Sequence, residues 1–125
     1  MEVPRWLERT ELLIGDEAIH KLAACHVLLV GLGGVGSYAG EFLIRAGIGR
    51  ITIVDGDEVD PTNINRQLQA LHSSIGQSKA DLMKKRLTDI NPDLQVNAIA
   101  KFLEPEDMDK LIAENGFDFV LDCID

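Results

Sequence analysis

The chain is poor in the residues that build metal scaffolds and disulfide frames. Its 125 residues include only two cysteines, Cys25 and Cys123, far apart in sequence and in no Cys-x-x-Cys pair. That spacing argues against a zinc ribbon or a disulfide-stapled fold and suits small buried thiols in a reducing compartment. Positive charge is also scarce. Twelve Lys and Arg face 21 Asp and Glu, for a net charge of −9. A protein that grips nucleic acid by its phosphates usually has the opposite balance. A small anion remains possible, because backbone N–H groups and a few placed cations bind one locally. No apolar run approaches the roughly 20 residues of a membrane span. The opening Met-Glu-Val-Pro-Arg-Trp lacks the basic start and apolar stretch of a secretory signal. A cytoplasmic protein is therefore expected. No repeat or low-complexity run interrupts the chain.

What is present fits one globular domain: 46% hydrophobic and 26% charged residues, enough for one core. Val27-Leu28-Leu29-Val30 reads as a strand buried on both faces, and a glycine-rich loop follows at once. A helix to about Ala46 comes next. Val35, Tyr38, Ala39, Phe42, Leu43 and Ala46 recur at three- and four-residue steps, which predicts one apolar face. Gly47 stands where a left-handed cap is expected. Further strands are expected at 51–54, 94–100 and 117–124, and helices at 16–24, 77–90 and from Pro105 to Gly116. The alternation predicts an α/β fold with a Rossmann-like parallel sheet in the order 3-2-1-4 and helices on both faces. The chain ends directly after the fourth strand, whose apolar edge Phe119-Val120-Leu121 would be unpaired. This predicts that residues 1–125 are the nucleotide-binding N-terminal part of a longer protein, or that something covers the edge.

The chemistry starts at Gly31-Leu32-Gly33-Gly34-Val35-Gly36. Gly31 allows a tight turn, Gly33 lets the backbone approach a phosphate, and Gly36 lets the helix pack near the sheet. The helix N-terminus adds free N–H groups and partial positive charge. Asp55, at the end of the second strand, stands where an acid accepts from ribose hydroxyls. Asp57 is a weaker candidate for the same pocket. These features alone fit NAD as well as ATP. A triphosphate carries more charge and leaves as pyrophosphate, which Arg66 and Lys79 could neutralise while Asn63 orients a phosphate or ribose. Asp125, at the tip of the fourth strand, suits Mg²⁺ bound to phosphates. Asp122 reads as structural.

The segments GLGGVG, IVD, TNINRQ, IGQSKA, INP and VLDCID together resemble the ubiquitin-activating-enzyme-like adenylyltransferases, from about Arg9 to the end. Within that superfamily, RTELLIG, GVGSYAGEFLIRAGIG and NRQLQAL are most similar to the branch that dehydrates threonylcarbamoyladenosine in tRNA. The resemblance implies ATP and Mg²⁺ as cofactors and adenylation of a carboxylate. That carboxylate belongs either to the modified tRNA or to a ubiquitin-like sulfur-carrier protein. It implies a nucleotide loop of Gly31, Gly33, Gly34 and Gly36, and a ribose acid at Asp55. Asn63, Arg66, Gln67 and Lys79 would handle phosphates, and Asp125 would be the magnesium carboxylate. It also implies a homodimer in which Arg9 reaches the partner's ATP. Cys123 matches no nucleophile position. The readings from other classes are an NAD(P) oxidoreductase or redox-sensing module and a catalytically silent dimerisation module.

Overall fold

The computed structural model describes residues 2–125. Four parallel strands, β1 (His26–Val30), β2 (Arg50–Val54), β3 (Gln95–Ile99) and β4 (Phe119–Asp122), lie in the order β3-β2-β1-β4. This is the α/β arrangement that the alternation of elements predicts. β1 is buried along its whole length because helices cover both faces of the sheet. Val27 and Leu29 of β1 and Ile51 and Ile53 of β2 pack with Ile44, Ala80, Met83 and Leu87. Those partners come from α3 (Gly36–Arg45) and α4 (Lys79–Ile90). On the other face Leu28, Val30 and Val54 meet Met108 and Leu111 of α5 (Pro105–Glu114), together with Phe117. Burying each large aliphatic side chain stabilises the fold by about 1.5–3 kcal/mol. β4 is shorter than the expected 117–124, and Phe119 and Val120 remain exposed at its edge.

α3 ends as its sequence predicts but packs on a different face. Gly47 has φ +110°, its N–H donates to Ile44 O, and Ile48 N–H donates to Leu43 O. This is the paired bonding of a Schellman cap. Of the apolar stripe, Ala39 and Leu43 pack against the core, but Val35 is 70% and Phe42 64% exposed. The buried face is Gly36, Ser37, Gly40, Glu41 and Ile44. Close approach to the sheet selects this face. A Cβ on Gly40 would lie 3.1 Å from Leu29 Cδ2, so only small residues let the helix sit there. Glu41 is tolerated inside because Arg86 of α4 grips both its oxygens at 2.7 and 2.9 Å. Those bonds hold its carboxyl below the usual range despite burial, and they tie α3 to α4.

The sequence analysis placed no element before Asp16, yet α1 (Glu8–Ile14) precedes α2 (Asp16–Ala23). α1 escapes a periodicity test because it contributes no buried residue. Glu8 and Glu11 complement the dipole of its first turn, and Gly15, at φ +84°, closes it. Asp16 is the first residue of α2 and caps nothing beyond Glu17 N–H. None of the described helices is long and apolar enough to cross a membrane.

At the opposite end of the sheet from the glycine loop, His26 is buried. Its Nε2 shares a 2.9 Å hydrogen bond with Thr52 Oγ1, and its ring lies 4.5 Å from that of Phe117. Burial, and to a lesser extent Arg50, push its pKa below 6.5, against the opposing charge of Asp118. The unfolded chain therefore binds a proton that the folded chain refuses. Stability is expected to fall as pH drops below 6.5 towards the folded-state value of His26. A second loss follows below 4.5, where Glu41 protonates in the unfolded state first. Urea unfolding across pH 4–8 checks this. A His26→Asn variant that kept the upper loss would refute the assignment.

Candidate active site

The C-terminal ends of the strands open into a cleft of about 280 Å³, at the point where the strand order reverses between β1 and β4. The glycine loop forms its floor. Gly31 turns at φ +93° while its N–H donates to Val54 O at 2.9 Å, so β1 stays tied to β2 as the chain leaves the sheet. A Cβ on Gly36 would lie 1.7 Å from Gly31 O, so the first turn of α3 rests directly on the loop. Ser37 is the first residue of this turn whose N–H meets a backbone acceptor, Gly33 O at 3.1 Å. The amides before it are the free donors of a helix start.

Asp55 follows β2 and faces the cleft. Its Oδ2 accepts from Leu32 N–H at 2.8 Å and its Oδ1 from Asp57 N–H at 2.7 Å. Each oxygen keeps a second lone pair. The acid expected to receive ribose hydroxyls therefore also clamps the glycine loop.

Lys79 reaches the cleft through backbone pairing. Val59 N–H donates to Gln77 O, Gly76 N–H to Val59 O and Lys79 N–H to Asp57 O. This anchors the start of α4, where the Ser78 hydroxyl accepts from Asp81 N–H. Lys79 is only 5% exposed, and its Nζ lies 3.9 Å from Asp57 Oδ2, a long contact for a buried ammonium. Gln67 also lines the cleft, buried, with Oε1 lacking a partner. A buried cation with one distant carboxylate, and an amide oxygen with none, are costly without a ligand.

Of the residues singled out in the sequence, the structure brings Gly31, Gly33, Asp55, Asp57, Gln67, Lys79 and Asp125 to the lining of one cleft. Gly34 and Gly36 stand just behind it. Gly34 packs within 3.5 Å, measured from an ideal Cβ, of Arg66 Cγ. Arg66 is exposed, and its guanidinium donates to Thr62 O and Asn65 Oδ1 rather than into the cleft. Asn63 is buried away from the lining, because its Oδ1 accepts from Asp60 N–H in the turn that starts at Pro61. Its carbonyl receives the amides of both Arg66 and Gln67, so it shapes the segment from within. Arg9 lies exposed on α1, outside the cleft. Asp122 accepts from Ile124 N–H at the end of β4, the structural role expected of it.

Lys101, Phe102, Leu103 and Met108, which no sequence motif marks, also line the cleft. They follow β3 at the same sheet end, and the topology alone would have placed them there. A Cβ on Gly56 would lie 2.6 Å from the Phe102 ring, so a glycine lets this segment close against β2. Ser37 and Gln69, which bond to the loop, were not singled out in the sequence. Cys123 touches the cleft, but burial raises its thiol pKa and Asp122 reinforces the effect. That makes it a poor nucleophile.

A parallel sheet of order β3-β2-β1-β4 with a glycine loop beneath a helix start and an acid after β2 defines a Rossmann-like α/β domain. The chain belongs to the ThiF family, whose sequence pattern matches residues 7–125. The tRNA threonylcarbamoyladenosine dehydratase of Bacillus subtilis is 49% identical over 117 residues, covering 94% of this chain and 46% of that protein. The sulfur carrier protein ThiS adenylyltransferase of Escherichia coli is 36% identical, over 92% of this chain and 46% of its own length. The crystal structure of the E. coli tRNA N6-threonylcarbamoyladenosine dehydratase in complex with ATP superposes with a TM-score of 0.92 at 39% identity. That match covers 100% of this chain and 52% of the other. The chain thus spans about half the length of these relatives.

Proposed function

We propose that the chain is the nucleotide-binding, N-terminal part of a longer ATP-dependent adenylating enzyme. Its acyl substrate in this reading is the threonylcarbamoyl carboxylate of a modified tRNA adenosine. The observation that carries the reading is the buried Lys79, poorly neutralised, in a cleft floored by the glycine loop. The dehydratase relatives, one of them in complex with ATP, support the substrate assignment.

In the proposed reaction a carboxylate oxygen attacks the α-phosphorus of ATP, and the bond to the bridging oxygen of pyrophosphate breaks. The resulting acyl-adenylate cyclises with loss of AMP, for a net loss of water. The protein's part is electrostatic and positional. Asp55 would take the ribose hydroxyls, the loop amides would take phosphate oxygens, and Lys79 would stabilise charge on the leaving group. The cleft lining holds Asp55, Asp57 and Asp125 against Lys79 and Lys101, so a polyanion needs further positive charge.

Mg²⁺ would supply part of it by neutralising phosphate oxygens. The described residues hold no cluster of three or more His, Cys, Asp or Glu. Nucleotide-bound Mg²⁺ needs only one or two carboxylates besides phosphate and water, and Asp125 and Asp57 fit that donor set. Arg66 would turn inward to contribute. Arg9 would act across a homodimer on the neighbouring subunit's nucleotide. The exposed Val35 just before α3, Tyr38 and Phe42 on it, and Leu12 and Leu13 of α1 support such a pairing. With a net charge of −9, RNA docking would fall to surfaces outside this chain.

The test is ATP–pyrophosphate exchange by the full-length protein. Exchange that requires tRNA bearing threonylcarbamoyladenosine is the expected result. Exchange that requires a carrier protein ending in Gly-Gly would move the assignment to the sulfur-carrier branch, which the ThiS adenylyltransferase relative supports. Tight NADH binding without ATP binding would overturn adenylation altogether.

A further inference from the structure

The glycine loop does not hold its own shape. Peptide units are planar and trans, so a C=O fixed in one direction sends the N–H of the next residue the opposite way. Three successive units here have one end fixed. Leu32 N–H donates to Asp55 Oδ2 at 2.8 Å, which drives Gly31 C=O towards Gly36. Leu32 C=O accepts from Gln69 Nε2 at 2.7 Å. Gly33 C=O accepts from Ser37 Oγ at 2.6 Å and from Ser37 N–H at 3.1 Å. With both carbonyls held on the protein side, the N–H groups of Gly33 and Gly34 face away from it, and Gly33 lines the cleft.

Gln69 lies outside the loop, outside the helix that follows it and outside the cleft lining. It is only 6% exposed. The opposite amide orientation would set two oxygens face to face at the Leu32 carbonyl, so the nitrogen must be the contacting atom. Its Oε1 is then buried without a partner, a cost that an apolar side chain would avoid. Ser74 Oγ donates to Gln69 O at 2.7 Å and fixes the backbone behind it.

We infer that Gln69 is a positioning residue: through the Leu32 carbonyl it aims the Gly33 N–H at a phosphate of the bound nucleotide. The inference rests on the ATP-site reading and deepens it. Gln69 does not touch the ligand. It decides whether the loop presents a donor or a carbonyl oxygen to an anion.

The test uses the full-length protein with Gln69→Met, which keeps the length and loses the donor, and Gln69→Glu, which keeps the shape but sets an acceptor against Leu32 O. Titration calorimetry with ATP and with adenosine separates positioning from general damage. The expected result is a dissociation constant for ATP raised about tenfold in both variants, with adenosine affinity unchanged. Equal loss for both ligands would reduce Gln69 to a structural role, and unchanged ATP affinity would overturn the inference. Failure of the wild type to bind ATP would instead overturn the functional reading. In that event the Leu32 carbonyl ¹³C shift decides: an upfield move in Gln69→Met sustains the loop geometry, and no move refutes it.

Discussion

Gly36→Ala is expected to destabilise the protein by about 3 kcal/mol or more and to abolish nucleotide binding. The added Cβ would sit 1.7 Å from Gly31 O and 2.7 Å from Gly31 C. Neither neighbour is a flexible side-chain tip. Gly31 is pinned through its own N–H to Val54 and through the next peptide to Asp55. Relief requires either lifting α3 off the sheet or unravelling the turn, and both expose the layer around Leu29 and Ile44. A domain with a net stability of about 5–15 kcal/mol loses a large share of it this way. Gly116→Ala is the matched control, because an ideal Cβ there meets nothing within 4 Å. Urea unfolding of the two variants makes the comparison. A Gly36→Ala protein within about 0.5 kcal/mol of wild type, the ordinary surface range, would mean that helix and loop do not approach this closely.

The same contact explains why the sequence was legible in one respect and misleading in another. The strand order, the loop between β1 and α3, and the acid after β2 follow from patterns local in the chain: apolar runs, glycine spacing and turn chemistry. The packing face of α3 does not. Hydrophobic periodicity marks Val35, Tyr38 and Phe42, which are exposed, while sterics bury Gly36, Ser37 and Gly40. A helix that must nearly touch a sheet is selected for what its side chains lack, and an apolar count cannot register that. Glu41 lies on the same buried face, where Arg86, 45 residues away in sequence, meets it at 2.7 Å.

The site divides along the same line. Asp55, Lys79 and Asp125 could be placed in the cleft from residue type and topological position, and Gln67 only from the family resemblance; all four line it. Asn63 was recognisable as part of the TNINRQ segment, but not as a residue whose side-chain oxygen closes its own turn. Gln69 carries no charge and stands in the NRQLQAL segment without a role of its own, and only the distance to Leu32 O reveals one. The Phe102–Met108 stretch was missed because apolar residues after a strand read as ordinary core. They matter through the end of the sheet on which they fall.

Lys79→Met is expected to move stability and activity in opposite directions. Met follows the unbranched lysine stem to one atom short of the ammonium and needs no counter-charge. Lys79 is 5% exposed, and the carboxylate of Asp57, 3.9 Å away, is itself 57% exposed. In the ligand-free protein the ammonium therefore loses hydration and gains little Coulombic return. Replacing it removes that cost and leaves without its charge only the solvated carboxylates of Asp57 and Asp60, so the melting temperature of the apo protein should rise. Adenylation should fall about 10²–10³-fold, the usual loss when a placed electrostatic donor is removed from a reacting phosphate or oxyanion. ATP binding should weaken less than the rate, because charge on the pyrophosphate grows as the bond to it breaks. Differential scanning calorimetry of the apo protein and single-turnover adenylation measure the two halves. If the variant melts lower and still adenylates at the wild-type rate, Lys79 is a structural partner of Asp57. If both halves come out as stated, the cleft carries an unneutralised cation that only an anionic ligand completes.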